Sequence, residues 1–316
     1  MIDIEDIEET RQRIKAHIKT TPLHHSQFLS ELIGGSVFLK LENDQITGSF
    51  KVRGALNRLM TLNKEDASRG VITASTGNHG LGIAYAAKKL GIKAQVVFPK
   101  EASIVKLEKL KNAGVEIIQD VGYAEIESYA RRLAKDRHLT YVSPYNDPVI
   151  VAGAGTSGLE IAEQLGNIDA VYVPIGGGGL ISGIAIAIKA FSPHTEVVGV
   201  QSEASPEVYE SWKAGHWVDA EETDSLAQGL MGGVEQDSIT LEIIQENVDR
   251  ILLVKEDSIL SAMRILYEQE SLIIEGAGAA STAAILERKD ELVRKRVVAV
   301  VSGGNISEDD LLTLLK

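Results

Sequence analysis

Four short segments carry residue types that can do chemistry. The first is Thr47-Gly48-Ser49-Phe50-Lys51-Val52-Arg53-Gly54, a turn that opens a helical pattern at Lys51. A lysine at a helix N-terminus faces the positive end of the helix dipole. With partial burial its amine gives up its proton more readily, as a nucleophilic or Schiff-base lysine requires. A helix-start lysine on its own is ordinarily solvated, so its company decides its meaning. The second segment is the run Gly176-Gly177-Gly178-Gly179, placed between an apolar strand-like stretch and a helical one beginning at Leu180. Converging backbone N–H groups at a helix start make a phosphate cradle; the plainer reading is a tight turn. It is no Walker loop, because Leu180 and Ile181 stand where Lys and Ser/Thr belong, and no dinucleotide fingerprint, because Gln201 occupies the acidic position on the next strand.

The third segment, Ser75-Thr76-Gly77-Asn78-His79-Gly80, offers hydroxyls, an amide and several N–H groups at another helix start, suited to a carboxylate or phenolate oxygen. An N-cap would account for Asn78 or Thr76 but not for the whole turn. His79 has the chemistry of a base, though its place just inside a helix favours a structural role. The fourth, Ser302-Gly303-Gly304-Asn305, ends a strand-like run, where a serine can equally be a cap.

These segments need rigid elements behind them. Val71-Ile72-Thr73, Gln95-Val96-Val97-Phe98, Val115-Glu116-Ile117-Ile118, Tyr141-Val142, Val171-Tyr172-Val173, residues 196–200 and residues 297–301 read as short strands. Helical periodicity lies between them, for example at residues 104–112, 125–135, 158–164 and 180–190. Alternation of this kind predicts parallel α/β structure with more units than one sheet comfortably holds. In such folds ligands bind beyond the carboxyl ends of the strands, where these glycine-rich turns fall.

Composition narrows the function. The 316 residues carry a net charge of −13, which repels phosphate backbones and anionic lipid and sets nucleic-acid and membrane partners aside. Cysteine is absent, which removes thiolate catalysis, disulfides and Cys-based zinc sites. Met1-Ile2-Asp3-Ile4-Glu5 has neither the basic nor the apolar region of a secretion signal, and the richest apolar run, residues 180–190, is broken by Gly183 and Lys189. A cytoplasmic location is expected.

Taken in order, the Lys51 turn, the Asn78 turn, the four glycines, Glu275-Gly276-Ala277-Gly278-Ala279 and the Ser302 turn resemble the fold-type II pyridoxal-5′-phosphate (PLP) enzymes. The closest likeness is to the threonine/serine dehydratase and serine racemase branch, and it runs from Thr20-Thr21-Pro22-Leu23 to the Ser302 turn. The resemblance implies an α/β chain with two parallel-sheet domains of tryptophan synthase β-like architecture. Residues 1–47 plus 146–316 would form the large PLP-binding domain, residues 48–145 a small, mobile substrate-loop domain, and the enzyme would be a homodimer. By the same resemblance Lys51 carries PLP and later acts as the Cα base, with Phe50 beside the ring. Asn78 serves the 3′-oxygen, and Gly176, Gly177, Gly178, Gly179 and Leu180 hold the phosphate. Ser302 faces the pyridine nitrogen, where a neutral partner favours β-elimination. Ser75, Thr76, Gly77 and His79 line the substrate-carboxylate loop. The implied reaction is dehydration and deamination of L-threonine or L-serine to a 2-oxo acid and ammonia, the leaving hydroxyl being protonated by the cofactor phosphate.

Three positions depart from the pattern. Thr76 stands where racemases of the branch carry a serine that works the opposite face of Cα, and its β-branched side chain is stiffer, which disfavours racemisation. Gln201 replaces a metal-binding glutamate, leaving Glu203 and Glu207 as candidate Mg²⁺ or Ca²⁺ ligands, although acidic loop residues are usually just solvated. Ala154, in Gly153-Ala154-Gly155-Thr156, replaces a usual glutamine, which leaves substrate size open. The alternatives are a dehydratase for another 3-hydroxy amino acid, such as one from hydroxyectoine breakdown, which the Ser75–Gly80 form and Gly229-Leu230-Met231-Gly232-Gly233 resemble; a serine racemase; and a non-catalytic phosphate-ligand sensor, which an intact Lys51 disfavours.

Overall fold

The computed structural model describes residues 2–100, 104–122 and 125–316, without the side chains of residues 104–106. Among these residues the strands in chain order are β1 (Leu23–Ser26), β2 (Ser36–Leu41), β3 (Val71–Ala74), β4 (Ala94–Val97), β5 (Glu116–Ile118), β6 (Thr140–Tyr141), β7 (Ala170–Pro174), β8 (Glu196–Ser202), β9 (Arg250–Val254) and β10 (Arg296–Val301). They form a six-stranded sheet in the order β1-β2-β10-β7-β8-β9 and a four-stranded sheet in the order β5-β4-β3-β6. Every pairing is parallel except β1 with β2.

The continuous apolar character of β10 follows from burial on both faces. Val297, Ala299 and Val301 pack with Leu39 and Tyr172 on one side of the large sheet. Val298 and Val300 pack with Val171, Val173 and Ile184 on the other. Strand β2 escapes a hydropathy reading because it contains Lys40, whose side chain is nonetheless fully buried. Strand β9 closes one edge of this sheet, and only part of its side chains reach the core.

One helix is longer than periodicity predicts. It spans Pro148–Gln164, starting ten residues before the expected residue 158, with Asp147 accepting from the Val149 N–H and proline at its first position. Gly153 and Gly155 read as helix breakers, yet they sit where other helices cross. A Cβ on Gly153 would lie 2.4 Å from the Gly54 Cα of the helix Lys51–Met60, and one on Gly183 would lie 2.4 Å from the Gly155 nitrogen. These three helices touch through backbone.

Between them lies a buried quartet of charges. Arg53 donates to both oxygens of Glu42, at 2.8 and 2.9 Å, and to both oxygens of Glu160, at 2.7 and 2.9 Å. Lys40 donates to Glu160 at 2.7 Å and to the Thr21 carbonyl at 2.8 Å. Hydroxyls of Thr21 and Ser157 satisfy the remaining lone pairs of Glu42. Burial alone would penalise each ion, but the two acids outweigh it at Arg53, whose pKa is raised, and Arg53 holds Glu42 below the usual carboxylate range. Removing one member strands the others in a low-dielectric interior. Glu160→Ala should therefore lose about 3–5 kcal/mol of unfolding free energy, read from the urea midpoint. A loss below about 1 kcal/mol would show that the quartet is not needed to hold these helices.

Candidate active site

A cavity of about 770 Å³ receives all four chemistry-bearing segments, with Lys51, Asn78, Gly177 and Ser302 among its walls. They converge because separate turns are bonded to one another. The Phe50 N–H donates to the Ser302 carbonyl, and the Gly304 N–H donates to the Gly48 carbonyl. The Asn305 amide donates to the Thr47 carbonyl and to Asn78 Oδ1, joining three of the turns through one side chain. Gly48 has a φ of +73°, and a Cβ there would meet Asn305 Oδ1 at 2.7 Å, so this junction requires glycine.

Lys51 is the first residue of its helix, with its amine donating to the Pro144 carbonyl at 2.9 Å and lying 5.1 Å from the Phe50 ring centre. Burial brings its pKa down to about 8, against the opposing charge of Glu127. Across the cavity, Gly176 to Gly179 lead into the helix Gly179–Phe191, whose leading N–H groups have no intrahelical acceptor. Thr240 turns the Gly177 carbonyl away by donating to it at 2.8 Å. A Cβ on Gly177 would sit 2.3 Å from the Tyr145 ring, and Gly178, at φ +84°, has Thr240 and Ile244 against it. The loop can lie flat in this cradle only as glycine. A depressed lysine amine, a cradle of free N–H groups and a hydroxyl at Ser302 with only a long 3.4 Å bond to the Ala277 carbonyl fit a phosphate-bearing aldehyde cofactor.

Comparison with known proteins agrees. Residues 14–303 match the family described as pyridoxal-phosphate dependent enzyme. The chain belongs to this family. It is 43% identical over 311 residues to a catabolic L-threonine dehydratase of Staphylococcus aureus, covering 97% of this chain and 90% of the relative. Its fold superposes on a threonine deaminase from T.th. with a TM-score of 0.89 at 36% identity, covering 96% and 99% of the two chains. It also superposes on serine racemase from Dictyostelium discoideum with a TM-score of 0.88 at 37% identity, covering 97% and 99%. The two-sheet α/β architecture is that of these PLP enzymes.

Within this PLP-dependent site the loop residues divide by role. Ser75 accepts from the Gly77 and Gly80 N–H groups at 3.1 and 2.8 Å, so its oxygen shapes the turn. Thr76 and Gly77 line the cavity. Asn78 gives one N–H to Glu275, which leaves its second for a ligand. His79 is buried with neither ring nitrogen in a hydrogen bond of normal geometry, and burial together with the Lys51 charge pushes it down to about 3, a backbone approach at Val142 notwithstanding. It is a neutral wall at physiological pH. Leu180, 4% exposed, backs the glycine loop.

Ala154 is packed into the core behind the large sheet and is not among the cavity's lining residues. One expectation is corrected. Glu207 is not a free loop carboxylate: Oε1 accepts from the Val234 N–H at 3.0 Å and from the Trp217 indole at 3.0 Å. Glu203 is exposed, and among the described residues no group of three or more His, Asp or Glu side chains is placed to hold a metal ion.

Several wall residues carry no local sequence signal. Glu127 and Arg131 arrive on the helix Ile126–Asp136, and Glu235 arrives on the segment that follows Gly233. Tyr145 braces the glycine loop with its ring while its hydroxyl accepts from the Glu235 N–H. Glu275, by contrast, stands in a quoted motif and could have been marked from it. Gly177→Asp should lower PLP affinity at least about tenfold, since an added side chain must displace the Tyr145 ring or fill the cradle with negative charge. Equilibrium dialysis of the variant reads this, and unchanged affinity would place the phosphate elsewhere.

Proposed function

We propose that this chain removes water and ammonia from L-threonine or L-serine to give a 2-oxo acid, with Lys51 as the residue that carries PLP and then takes the Cα proton. The observation that carries this reading is the Lys51 amine, lowered to about 8, standing in one cavity with a glycine phosphate cradle. Relatives named threonine dehydratase and threonine deaminase support the reaction and its substrate class.

When bound, PLP supplies an acceptor for the electron pair left at Cα. The protein's share is binding and proton transfer. The turn at Ser75, Thr76, Gly77 and Asn78, open at a helix N-terminus, suits the substrate carboxylate. The Lys51 amine, neutral in useful amount near pH 8, removes the Cα proton. Ser302 would offer the cofactor's ring nitrogen a neutral hydroxyl rather than a carboxylate. Phe50 and Tyr145 give the cavity apolar walls, which strengthen charge interactions beside them. A Mg²⁺ or Ca²⁺ ion at Glu203 and Glu207 forms no part of this reading, because Glu207 is committed to Val234 and Trp217.

The reading extends to a cytoplasmic homodimer in which residues 48–145, which contain the whole four-stranded sheet, move against the remainder. Among the described residues no helix is long and apolar enough to cross a membrane.

Lys51→Ala should abolish ammonia release from a panel of 3-hydroxy amino acids and the borohydride-fixed mass increment of PLP, while far-UV circular dichroism is unchanged. A variant that still fixes PLP covalently and turns over would remove Lys51 from its role. Elimination should dominate over racemisation. Racemisation needs a second acid–base group opposite Lys51, and the resemblance puts Thr76 there, with its stiff χ1. Thr76→Ala should keep most 2-oxo acid formation from L-serine. D-Serine appearing from the unmodified protein as fast as pyruvate would favour the racemase reading instead.

A further inference from the structure

We propose that Asn305 and Glu275 are positioning residues that decide which end of the Asn78 amide faces the cavity, so that an N–H rather than an oxygen is offered to the 3′-oxygen of PLP. This rests on the PLP site described above and adds what holds its donor in place. An asparagine amide turned by half a revolution keeps its shape but exchanges an acceptor for a donor. Its neighbours therefore choose between the two. Asn305 Nδ2 donates to Asn78 Oδ1 at 2.7 Å, and Asn78 Nδ2 donates to Glu275 Oε1 at 2.5 Å. Reversing the amide would set nitrogen against nitrogen at Asn305 and oxygen against a carboxylate at Glu275. One Nδ2 hydrogen of Asn78 is left, on a side chain in the cavity wall.

Asn305 is fixed in its turn. Its Nδ2 also donates to the Thr47 carbonyl at 2.8 Å, and Lys109 Nζ stands 3.5 Å from its Oδ1. A backbone carbonyl can only accept, so Thr47 sets the sense of Asn305, and Asn305 sets the sense of Asn78. The relay thus runs between two groups of fixed polarity, the Thr47 carbonyl at one end and the Glu275 carboxylate at the other. Glycines clear the space it occupies. A Cβ on Gly303 would lie 2.4 Å from Glu275 Oε1 and 3.1 Å from Asn78 Nδ2, and one on Gly48 would lie 2.7 Å from Asn305 Oδ1.

The participants come from both layers of the fold. Asn78 opens the helix after β3 of the small sheet, Asn305 follows β10 of the large sheet, and Glu275 precedes the helix Gly276–Glu287. The turn that carries Asn78 shapes its own backbone through Ser75, whereas the direction of the amide is set from the other layer.

Pyridoxine 5′-phosphate and 3-deoxypyridoxine 5′-phosphate carry no aldehyde, so neither bonds covalently to Lys51, and they differ only in the oxygen that Asn78 would meet. Calorimetric titration of the full-length protein, stripped of PLP, should show the first bound at least about threefold more tightly. Asn305→Asp is nearly the same size but puts an oxygen where the donor stood. It should erase that preference while changing the affinity of the 3-deoxy ligand less than about twofold. Glu275→Leu should erase the preference too, and Glu275→Gln, which keeps an acceptor oxygen, should restore part of it. In Asn78→Ala protein, which has no amide to orient, Asn305→Asp should add no further loss. A preference retained in both Asn305→Asp and Glu275→Leu overturns the proposal. So does an equal loss for both ligands in variants whose urea midpoint is unchanged, which marks general damage to the loop. Unmodified protein that binds the two ligands equally would instead remove Asn78 from the 3′-oxygen, and unmodified protein that fails to bind PLP would sink the cofactor site itself.

Discussion

The bidentate grip of Arg53 on Glu42 and Glu160 is the interaction on which the site depends. Arg53 lies two residues after Lys51 on the same helix, so fixing the guanidinium fixes the start of that helix. Glu160 belongs to the long helix behind it, and Glu42 follows β2, next to β10, the strand that leads into Ser302. One planar fork therefore ties the lysine helix to the large sheet and to the crossing helix at once. Two cations face two carboxylates, and the quartet is neutral as a whole. Such clusters add little net stability over an apolar core, but they tolerate only one arrangement. Geometry within fractions of an ångström is what a lysine that must meet both a cofactor and a Cα proton requires.

Packing reinforces that arrangement. Glycines at positions 54, 153, 155 and 183 bring three helices into backbone contact, so the lysine helix cannot slide without a steric clash. The same economy operates in the cavity wall, where Tyr145 fills the space that a side chain at position 177 would need.

Burial sets the protonation of the site in opposite directions by charge type. It disfavours the charged form, so it lowers Lys51 and His79 and raises Glu127. The result is a cavity with an amine that gives up its proton readily beside an imidazole that stays neutral. No single residue type reveals this in sequence, because the shift belongs to the surroundings rather than to the side chain.

Chain order and local chemistry were enough to mark Lys51, the Asn78 turn, the four glycines and the Ser302 turn, because each is a contiguous run whose backbone needs glycine. Alternating apolar runs also revealed parallel α/β structure, since strands buried on both faces cannot be polar. Strand β2 and the first half of the helix Pro148–Gln164 were hidden by a lysine and by glycines that make sense only against Glu160 and Gly54. Ala154, marked in sequence only for replacing a usual glutamine, sits in the core. Glu127, Arg131, Tyr145 and Glu235 were invisible for the same reason: they lie far apart in the chain and acquire meaning only by meeting at one wall. Residues that act through their own backbone turn are determined by sequence. Residues that act through a partner's charge are decided by tertiary structure, because Coulomb interactions and desolvation depend on distance in space.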